Sequence, residues 1–403
     1  MIAELKFKNL LSFRDEAVFS FEADKSKDME SYHVVEVAPG VRLLKLAVIY
    51  GANASGKSNF ILIYDFLRKF LFQTLANKST ATGVVSFLLD NRSSKEPASI
   101  SLTFYIQKEN QVAVKCVYSL ELTKSHIVKE SLMHYTSQQP TSIFERAIEN
   151  GVSTIKYGYK VKLTTAAKEE ISLKCLPNMS VFAAYQQVNI NVPEIEDVLA
   201  YFRNQMLPAI SPAKNLKQYS DDKISNQHSK EYILKYLQEA DFNISDISEH
   251  KQDSPTGVVR DLIFQHRVQD ENGNALVFEF PELLESQGTI RTMGLAGCIE
   301  ETLANNSFLA VDEIESSLHP RLIEYIIERF LKESDQAQML ITTHYDGLLA
   351  EDDLLRNDNV WFTEKNKDGA TVLYPLTDFK GLNRISSLQK AYKFGKFGAV
   401  PNL

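Results

Sequence analysis

A glycine-rich segment that follows a short apolar run limits what this chain can fold into more than any other feature does. The run is LLKLAVIY at 43–50, and Gly51-Ala-Asn-Ala-Ser-Gly56-Lys57-Ser58 comes directly after it. A continuous apolar run of this length is typical of a strand buried on both faces. The following SNFILIYDFLRKFLFQTL at 58–75 has apolar residues at helical spacing. A glycine turn that only caps a helix is the alternative, but strand, loop and helix together favour a phosphate loop.

The residue types of this loop suit ATP with magnesium. Glycines let backbone N–H groups turn inward around the β-phosphate, Lys57 would place its ammonium on the β- and γ-phosphate oxygens, and the Ser58 hydroxyl would ligate Mg²⁺. The predicted ATP-binding residues of this Walker A segment are Gly51, Asn53, Ser55, Gly56, Lys57, Ser58 and Asn59.

A second motif is FLAVDEIESSLHP at 308–320, an apolar strand that ends in two carboxylates. Asp312 would hold the magnesium together with Ser58, and Glu313 would orient or deprotonate the attacking water. An Asp-Glu pair at a strand end is by itself weak, because such charges usually meet only solvent. Lys57 and Asp312 lie far apart in the sequence, so a large insertion must separate them.

Two further segments have both a structural and a functional interpretation. Glu285-Ser-Gln-Gly-Thr289 precedes a predicted helix, where Ser286 or Thr289 would serve as N-cap; the functional alternative is a phosphate site at the helix N-terminus. His344 ends the apolar strand QMLITTH. A single histidine there is more often structural, but this strand follows the Asp-Glu strand by one helix.

Together these four motifs resemble the ABC-type ATPases that include chromosome-maintenance, recombination-repair and transporter heads. The resemblance implies an α/β fold, an ABC-type P-loop NTPase head with a mixed sheet, N-terminal antiparallel strands and an inserted helical lobe. It implies that Glu313 and His344 are catalytic and that a second subunit supplies the signature residues in trans. The signature residues would be Ser286, Gln287, Gly288 and Thr289, and the D-loop residues Ser316 and Ser317. The Q-loop residue would be Gln186 or Gln187, at the end of the strand-like VFAAYQQ.

The remaining sequence predicts the domain layout. Residues 1–190 would form the N-terminal part of the core, strand-rich from about 84 to 185, and 281–403 the C-terminal part. Residues 191–280 would form a mostly helical lobe, with two amphipathic helices, EIEDVLAYFRNQM and SKEYILKYLQEA, and a hairpin at Asn272-Gly273. The net charge of −8 argues against a surface that is basic everywhere, but it does not exclude a local basic groove. No apolar run reaches the roughly 18 residues of a membrane span. The three cysteines lack metal-ligand spacing, so we expect a cytoplasmic protein with reduced thiols.

Absent features and the tail point to one subclass. The chain lacks long heptads, and the segment after His344 is too short for a nuclease domain. With FKNLLSF, ESQGT, VDEIESSLHP, ITTH and the tail NRISSLQKAYKFGKFGAVP at 383–401, it resembles stand-alone ABC-type AAA ATPases of phage-defence and abortive-infection operons of the RloA/AbiLi kind. The tail alone is also consistent with a solvated helix and turn.

This second resemblance implies a homodimer or higher oligomer that controls a separately encoded effector, often a TOPRIM-like nuclease. Two other purposes stay open. One is a DNA-binding clamp or sensor, in which Arg14 and the basic tail would contact nucleic acid. The other is a protein in which ATP is only a structural ligand that holds an oligomer together; the carboxylate pair argues against it.

Overall fold

The computed structural model describes most of the chain. Its description leaves out residues 108–111, 138, 150–151, 215, 217–218, 220–222, 241–242, 255–256 and 402–403. Within the described residues, no helix combines the length and the apolar content that crossing a bilayer requires.

The elements are numbered in chain order. The strands are β1 (Ile2–Lys8), β2 (Ala17–Ser20), β3 (Val34–Ala38), β4 (Val41–Leu44), β5 (Leu46–Tyr50), β6 (Ala98–Ile106), β7 (Val114–Leu122), β8 (Ile127–Tyr135), β9 (Thr141–Glu149), β10 (Val152–Tyr157), β11 (Ile244–Ser254), β12 (Gly257–Gln269), β13 (Ala275–Pro281), β14 (Phe308–Val311), β15 (Gln338–Thr343), β16 (Val360–Lys365) and β17 (Thr371–Pro375). The helices are α1 (Glu30–His33), α2 (Lys57–Phe70), α3 (Thr165–Lys174), α4 (Val181–Tyr185), α5 (Pro193–Asn204), α6 (Gln227–Glu239), α7 (Gln287–Ala304), α8 (Pro320–Glu333) and α9 (Leu388–Lys393).

A five-stranded sheet in the order β14-β15-β5-β16-β17 carries the predicted motifs. Strands β14, β15, β5 and β16 run parallel, and only β17 is antiparallel to its neighbour. The carboxyl ends of parallel strands meet at one edge of a sheet. The phosphate loop, the Asp-Glu pair and His344 therefore follow neighbouring strands at the same edge.

Strand β5 separates two apolar cores. Leu46, Val48 and Tyr50 face a core shared with α7 and α8. Ala47 and Ile49 face a second core shared with α2 and the antiparallel sheet. Because alternate side chains of a strand point to opposite faces, a strand between two cores must be apolar throughout. This confirms the predicted strand buried on both faces.

A seven-stranded sheet in the order β10-β9-β8-β7-β6-β1-β2 is antiparallel throughout. It confirms the predicted N-terminal strands and the strand-rich region after residue 84. The segment VFAAYQQ differs from the prediction: α4 covers 181–185, and the Ser180 side chain caps it by accepting from Ala183 N–H at 3.0 Å. A short apolar run fits a buried strand or a buried helix equally well, and here the capping serine decides.

The segment 191–280 contains both predicted helices, α5 and α6, and the predicted hairpin of β12 and β13 around Asn272-Gly273. It also contains β11, which pairs with β12. The prediction of a mostly helical lobe is therefore wrong for its second half, which is a three-stranded antiparallel sheet. The sequence of β11, ISDISEHKQDS, lacks the alternation of polar and apolar residues by which strands are recognised.

The C-terminal tail packs on the central sheet. The ring of Phe362 on β16 stacks on Tyr392 at 5.6 Å and on Phe397 at 5.7 Å between centroids. Tyr392, Phe397 and Ala399 are buried. The tail is thus an integral layer beside the phosphate loop, and the interpretation as a solvated helix and turn is wrong.

Candidate functional site

The phosphate loop between β5 and α2 has a conformation that only small residues allow. Gly56 has φ of 117°, in the left-handed region that side chains disfavour. A Cβ on Gly56 would overlap the side chain of Thr371, and one on Gly51 would overlap those of Ser55 and Thr363. Both glycines of the motif are therefore required by close packing.

Lys57 lies beneath the loop. Its Nζ donates to Gly51 O at 2.8 Å and to Ala52 O at 3.2 Å. Burial lowers the pKa of Lys57, while the carboxylates of Glu315, Glu313 and Asp312 act in the opposite direction. The ammonium thus shares one electrostatic environment with the carboxylates that follow β14, although they are distant in sequence.

Thr342 on β15 contacts both residues of the Asp-Glu pair. Its hydroxyl donates to Asp312 Oδ1 at 2.6 Å and accepts the backbone N–H of Glu313 at 2.9 Å. Glu313 has φ of 48°, a left-handed value that costs energy in a residue with a side chain. The buried threonine therefore stabilises a strained backbone at the residue predicted to activate water.

His344 is paired with Glu315. Glu315 Oε1 lies 2.6 Å from His344 Nδ1 and accepts the backbone N–H of His344 at 2.7 Å. The side chain of Glu315 is mostly buried and that of His344 is more than half exposed. Two contacts to one oxygen fix the orientation of the imidazole at the end of β15.

A cavity of about 430 Å³ lies among these groups. Its lining residues are Asn53, Ala54, Ser55, Gly56, Lys57, Ser58, Asn59, Glu313, His344 and Lys365. Lys365 ends β16, so it reaches the same edge of the sheet as the other strand ends. The cavity has the backbone N–H groups and cations that a triphosphate needs.

The oxygen donors in and next to the cavity fit magnesium. Mg²⁺ is usually bound by one or two protein oxygens together with substrate phosphates and water. Ser58, which lines the cavity, offers a hydroxyl, and the buried Asp312, directly before the lining residue Glu313, offers a carboxylate. Groups of three or more His, Cys, Asp and Glu side chains that could hold a metal are absent from the described part of the chain. This donor set suits a metal that arrives with its nucleotide.

The ESQGT segment begins helix α7. The Ser286 hydroxyl accepts the backbone N–H of Thr289 at 3.0 Å, so Ser286, and not Thr289, is the N-cap. A Cβ on Gly288 would lie 3.0 Å from the carbonyl oxygen of Ser317, which places the D-loop against this turn. Gln287 and Ser317 line a separate cavity of about 860 Å³. None of the predicted signature residues lines the cavity around Lys57.

The structure does not bring Gln186 or Gln187 to the phosphate loop. Both are exposed at the end of α4, where Gln186 Oε1 accepts from Arg203 at 2.8 Å and Gln187 donates to Ala183 O at 3.2 Å. Ser180, which begins this turn, bonds to the carbonyl of Leu71, at the far end of α2 from Lys57. A 14-residue helix is about 20 Å long. Neither glutamine lines the cavity around Lys57, so the structure does not support a Q-loop at Gln186 or Gln187.

Three residues of the site were not predicted. Thr342 and Glu315 lie within the quoted motifs and Lys365 lies outside them, but the roles of all three depend on which strand ends are neighbours. The loop at 9–14 is a fourth contributor, since Thr371 Oγ1 lies within hydrogen-bond distance of both Ser12 Oγ and Ser55 O, at 2.8 Å from each. Strand order, which no local pattern reveals, creates these contacts.

A family model described as "AAA domain, putative AbiEii toxin, Type IV TA system" matches residues 46–350. The sequence matches no curated protein.

Several solved structures are similar to this chain. An Smc head bound to the C-winged helix domain of ScpA is 15% identical, with coverage of 97% of this chain and 99% of that one and a TM-score of 0.48. An SMC head domain from Thermotoga maritima is 14% identical over 93% and 98%, with a TM-score of 0.42. An Smc head with an extended coiled coil, bound to the C-terminal domain of ScpA derived from Pyrococcus furiosus, is 12% identical over 98% of each chain, with a TM-score of 0.46.

The matched range extends from strand β5 to the segment just after His344, so it contains the phosphate loop, the Asp-Glu pair and the histidine that the structure gathers at one edge. The chain belongs to the AAA-domain family described as putative AbiEii toxin, Type IV TA system.

Proposed function

We propose that the chain binds and hydrolyses ATP with magnesium and that two copies close head to tail around two nucleotides. The observation that carries this proposal is the division of the motifs between two places. Lys57, Glu313 and His344 line one cavity. The ESQGT turn borders another cavity, with its helix N-terminus available to a nucleotide of a second copy.

Each group of the cavity has a chemical role. Backbone N–H groups of the phosphate loop and Lys57 hold the β- and γ-phosphates. Glu313 accepts a proton from the attacking water or orients it. Ser58 and Asp312 would hold magnesium, which would neutralise charge at the phosphate oxygens. Lys365 adds a second cation at the opening of the cavity.

His344 acts at the γ-phosphate. With Nδ1 against Glu315, its Nε2 is the nitrogen left to meet substrate. A protonated imidazole would donate to a γ-phosphate oxygen and move away when the phosphate leaves. Glu315 would keep the ring in place for that contact, because one of its carboxylate oxygens lies against Nδ1 and accepts the backbone N–H of His344.

Complementation between two inactive chains tests the shared site. Lys57→Ala removes the phosphate loop lysine, and Ser286→Ala removes the signature hydroxyl. Each variant alone should be nearly inactive. A mixture should regain part of the activity, because a mixed dimer has one intact site built from the unmutated half of each chain. A mixture as inactive as its components would contradict the shared site.

Trapping the dimer is the second test. Glu313→Gln should bind ATP but hydrolyse it roughly 10²–10⁴-fold more slowly, so an ATP-dependent dimer should accumulate in size-exclusion chromatography. Turnover equal to that of the unmutated chain would indicate that ATP serves only as a structural ligand.

For the biological role, we propose regulation of a separately encoded nuclease or toxin in anti-phage defence, in the cytoplasm. The family description, which names a putative toxin of a type IV toxin–antitoxin system, supports it, as does the resemblance to RloA/AbiLi-like ATPases. A TOPRIM-like protein encoded next to this chain should co-purify with it at fixed stoichiometry. If instead the isolated chain binds DNA with an affinity that falls steeply with salt, the clamp or sensor function is correct.

A further inference from the structure

Two leucines next to the signature are exposed. Leu283 is 92% and Leu284 is 67% exposed, in the short turn Glu282–Leu284 that joins β13 to the ESQGT segment. The following Glu285 is fixed by a 2.5 Å contact to His266. The leucines therefore project from an anchored turn, three and two residues before Ser286. We call Leu283 and Leu284 the signature-side patch.

A second exposed apolar group lies beside the phosphate loop. Val85 is 45%, Leu88 is 69% and Leu89 is 65% exposed. We call these three residues the phosphate-side patch. Their segment is anchored, because Val85 O accepts from Leu11 N–H at 2.9 Å and Phe87 N–H donates to Asn9 Oδ1 at 3.1 Å.

Hydrogen bonds connect the phosphate-side patch to the ATP cavity. The patch rests on the loop at 9–14. In this loop the Ser12 hydroxyl contacts the Thr371 hydroxyl, which also contacts the carbonyl oxygen of Ser55 in the phosphate loop. Leu89 also reaches the β16–β17 turn, since a Cβ on Gly369 would meet its side chain. The patch therefore flanks one end of the phosphate loop.

Each half of the composite ATP site thus carries its own apolar patch. When the signature of one copy closes over the phosphate loop of another, Ser286 brings Leu283 and Leu284 with it. We infer that the signature-side patch of one copy packs on the phosphate-side patch of a second copy, beside the bound nucleotide. This inference rests on the proposed head-to-tail dimer. Two-fold symmetry repeats the contact at the second site.

The second copy is the favoured occupant for two reasons. The signature-side patch is covalently continuous with the residues that a second copy must insert, and both patches consist of aliphatic side chains with no charge. Because apolar contacts are little affected by salt, while surface ion pairs are screened, the contact should persist at high ionic strength.

Substitution measures the contribution of the contact. In the Glu313→Gln background, Leu283→Ser with Leu284→Ser should weaken the ATP-dependent dimer by roughly a hundredfold or more. The affinity of the monomer for ATP should not change, because neither leucine lines the cavity around Lys57. Leu173→Ser, at an 84% exposed leucine on α3, is the matched control and should dimerise normally.

The outcomes separate the two proposals. If Glu313→Gln itself forms no ATP-dependent dimer, the proposed function and this inference both fail. If it dimerises and the double serine variant dimerises equally well, only this inference is overturned. Loss of dimerisation in the Leu173→Ser control as well would also overturn it.

Cross-linking identifies the occupant and does not depend on the folding of the serine variant. The chain's own Cys116, Cys175 and Cys298 are buried. A mixture of Leu283→Cys and Leu88→Cys chains, treated with a short bismaleimide, should give a covalent dimer that requires ATP. A dimer that forms in solution without this cross-link, or a cross-link of Leu283→Cys only to a co-purified partner protein, would contradict a second copy as the occupant.

Discussion

Replacing Thr342 by valine tests how the carboxylate pair is positioned. The change keeps the shape of the side chain and removes one hydroxyl, which donates to Asp312 and accepts from the backbone of Glu313. The site is fully buried. A buried N–H left without an acceptor costs about 1–3 kcal/mol, and a hydrogen bond to a charged group contributes about 1.5–3 kcal/mol.

Part of that loss is offset, because valine gains apolar burial of about 1 kcal/mol. We therefore expect the free energy of unfolding to fall by about 2–4 kcal/mol in a urea titration. We also expect kcat of the folded protein to fall, since a displacement of about 1 Å at a reacting group can cost roughly 100-fold in kcat. Steady-state phosphate release from protein shown to be folded measures this effect.

Thr302→Val provides the control. Thr302 is equally buried and donates its hydroxyl only to Cys298 O, within helix α7 and away from the carboxylates. This variant should lose some stability and retain kcat. A Thr342→Val enzyme with unchanged kcat would refute the idea that Thr342 positions the carboxylates.

Three further results follow from the structure. Glu315→Gln should lower kcat by roughly tenfold while ATP affinity changes little, because an amide replaces the carboxylate that holds Nδ1 and the backbone N–H of His344; an unchanged kcat would contradict the positioning of His344 by Glu315. Arg146→Leu should destabilise the fold by about 3–5 kcal/mol, since it leaves the buried Glu130 carboxylate without its cationic partner. Calorimetry should detect this loss of stability. Burial lowers the pKa of His33 to about 4 from 6.5, so the folded state binds fewer protons than the unfolded one. The contribution of His33 to the free energy of unfolding should be fully present above pH 6.5 and decrease by about 3 kcal/mol as the pH falls to 4. His33→Phe should remove this contribution to the pH dependence of stability.

The sequence by itself determined the features that depend on residues close together in the chain. The phosphate loop could be recognised because its glycines are needed for backbone conformation and close packing, and because a strand between two cores must be apolar over its whole length. The capped start of α7 and the hairpin at Asn272-Gly273 were equally readable, since caps and tight turns depend on neighbouring residues. The helices at 193–204 and 227–239 followed from apolar periodicity.

Only the tertiary structure decided the features that depend on strand order and on contacts between distant segments. Thr342 and Glu315 acquire their partners because β15 lies between β14 and β5, and Lys365 reaches the cavity because β16 is parallel to β5. The sequence misassigned Gln186 and Gln187 because VFAAY fits a strand or a helix, and it missed β11 because that strand lacks alternation. Local conformational preferences act over a few residues, whereas a catalytic site is assembled by the packing of elements hundreds of residues apart.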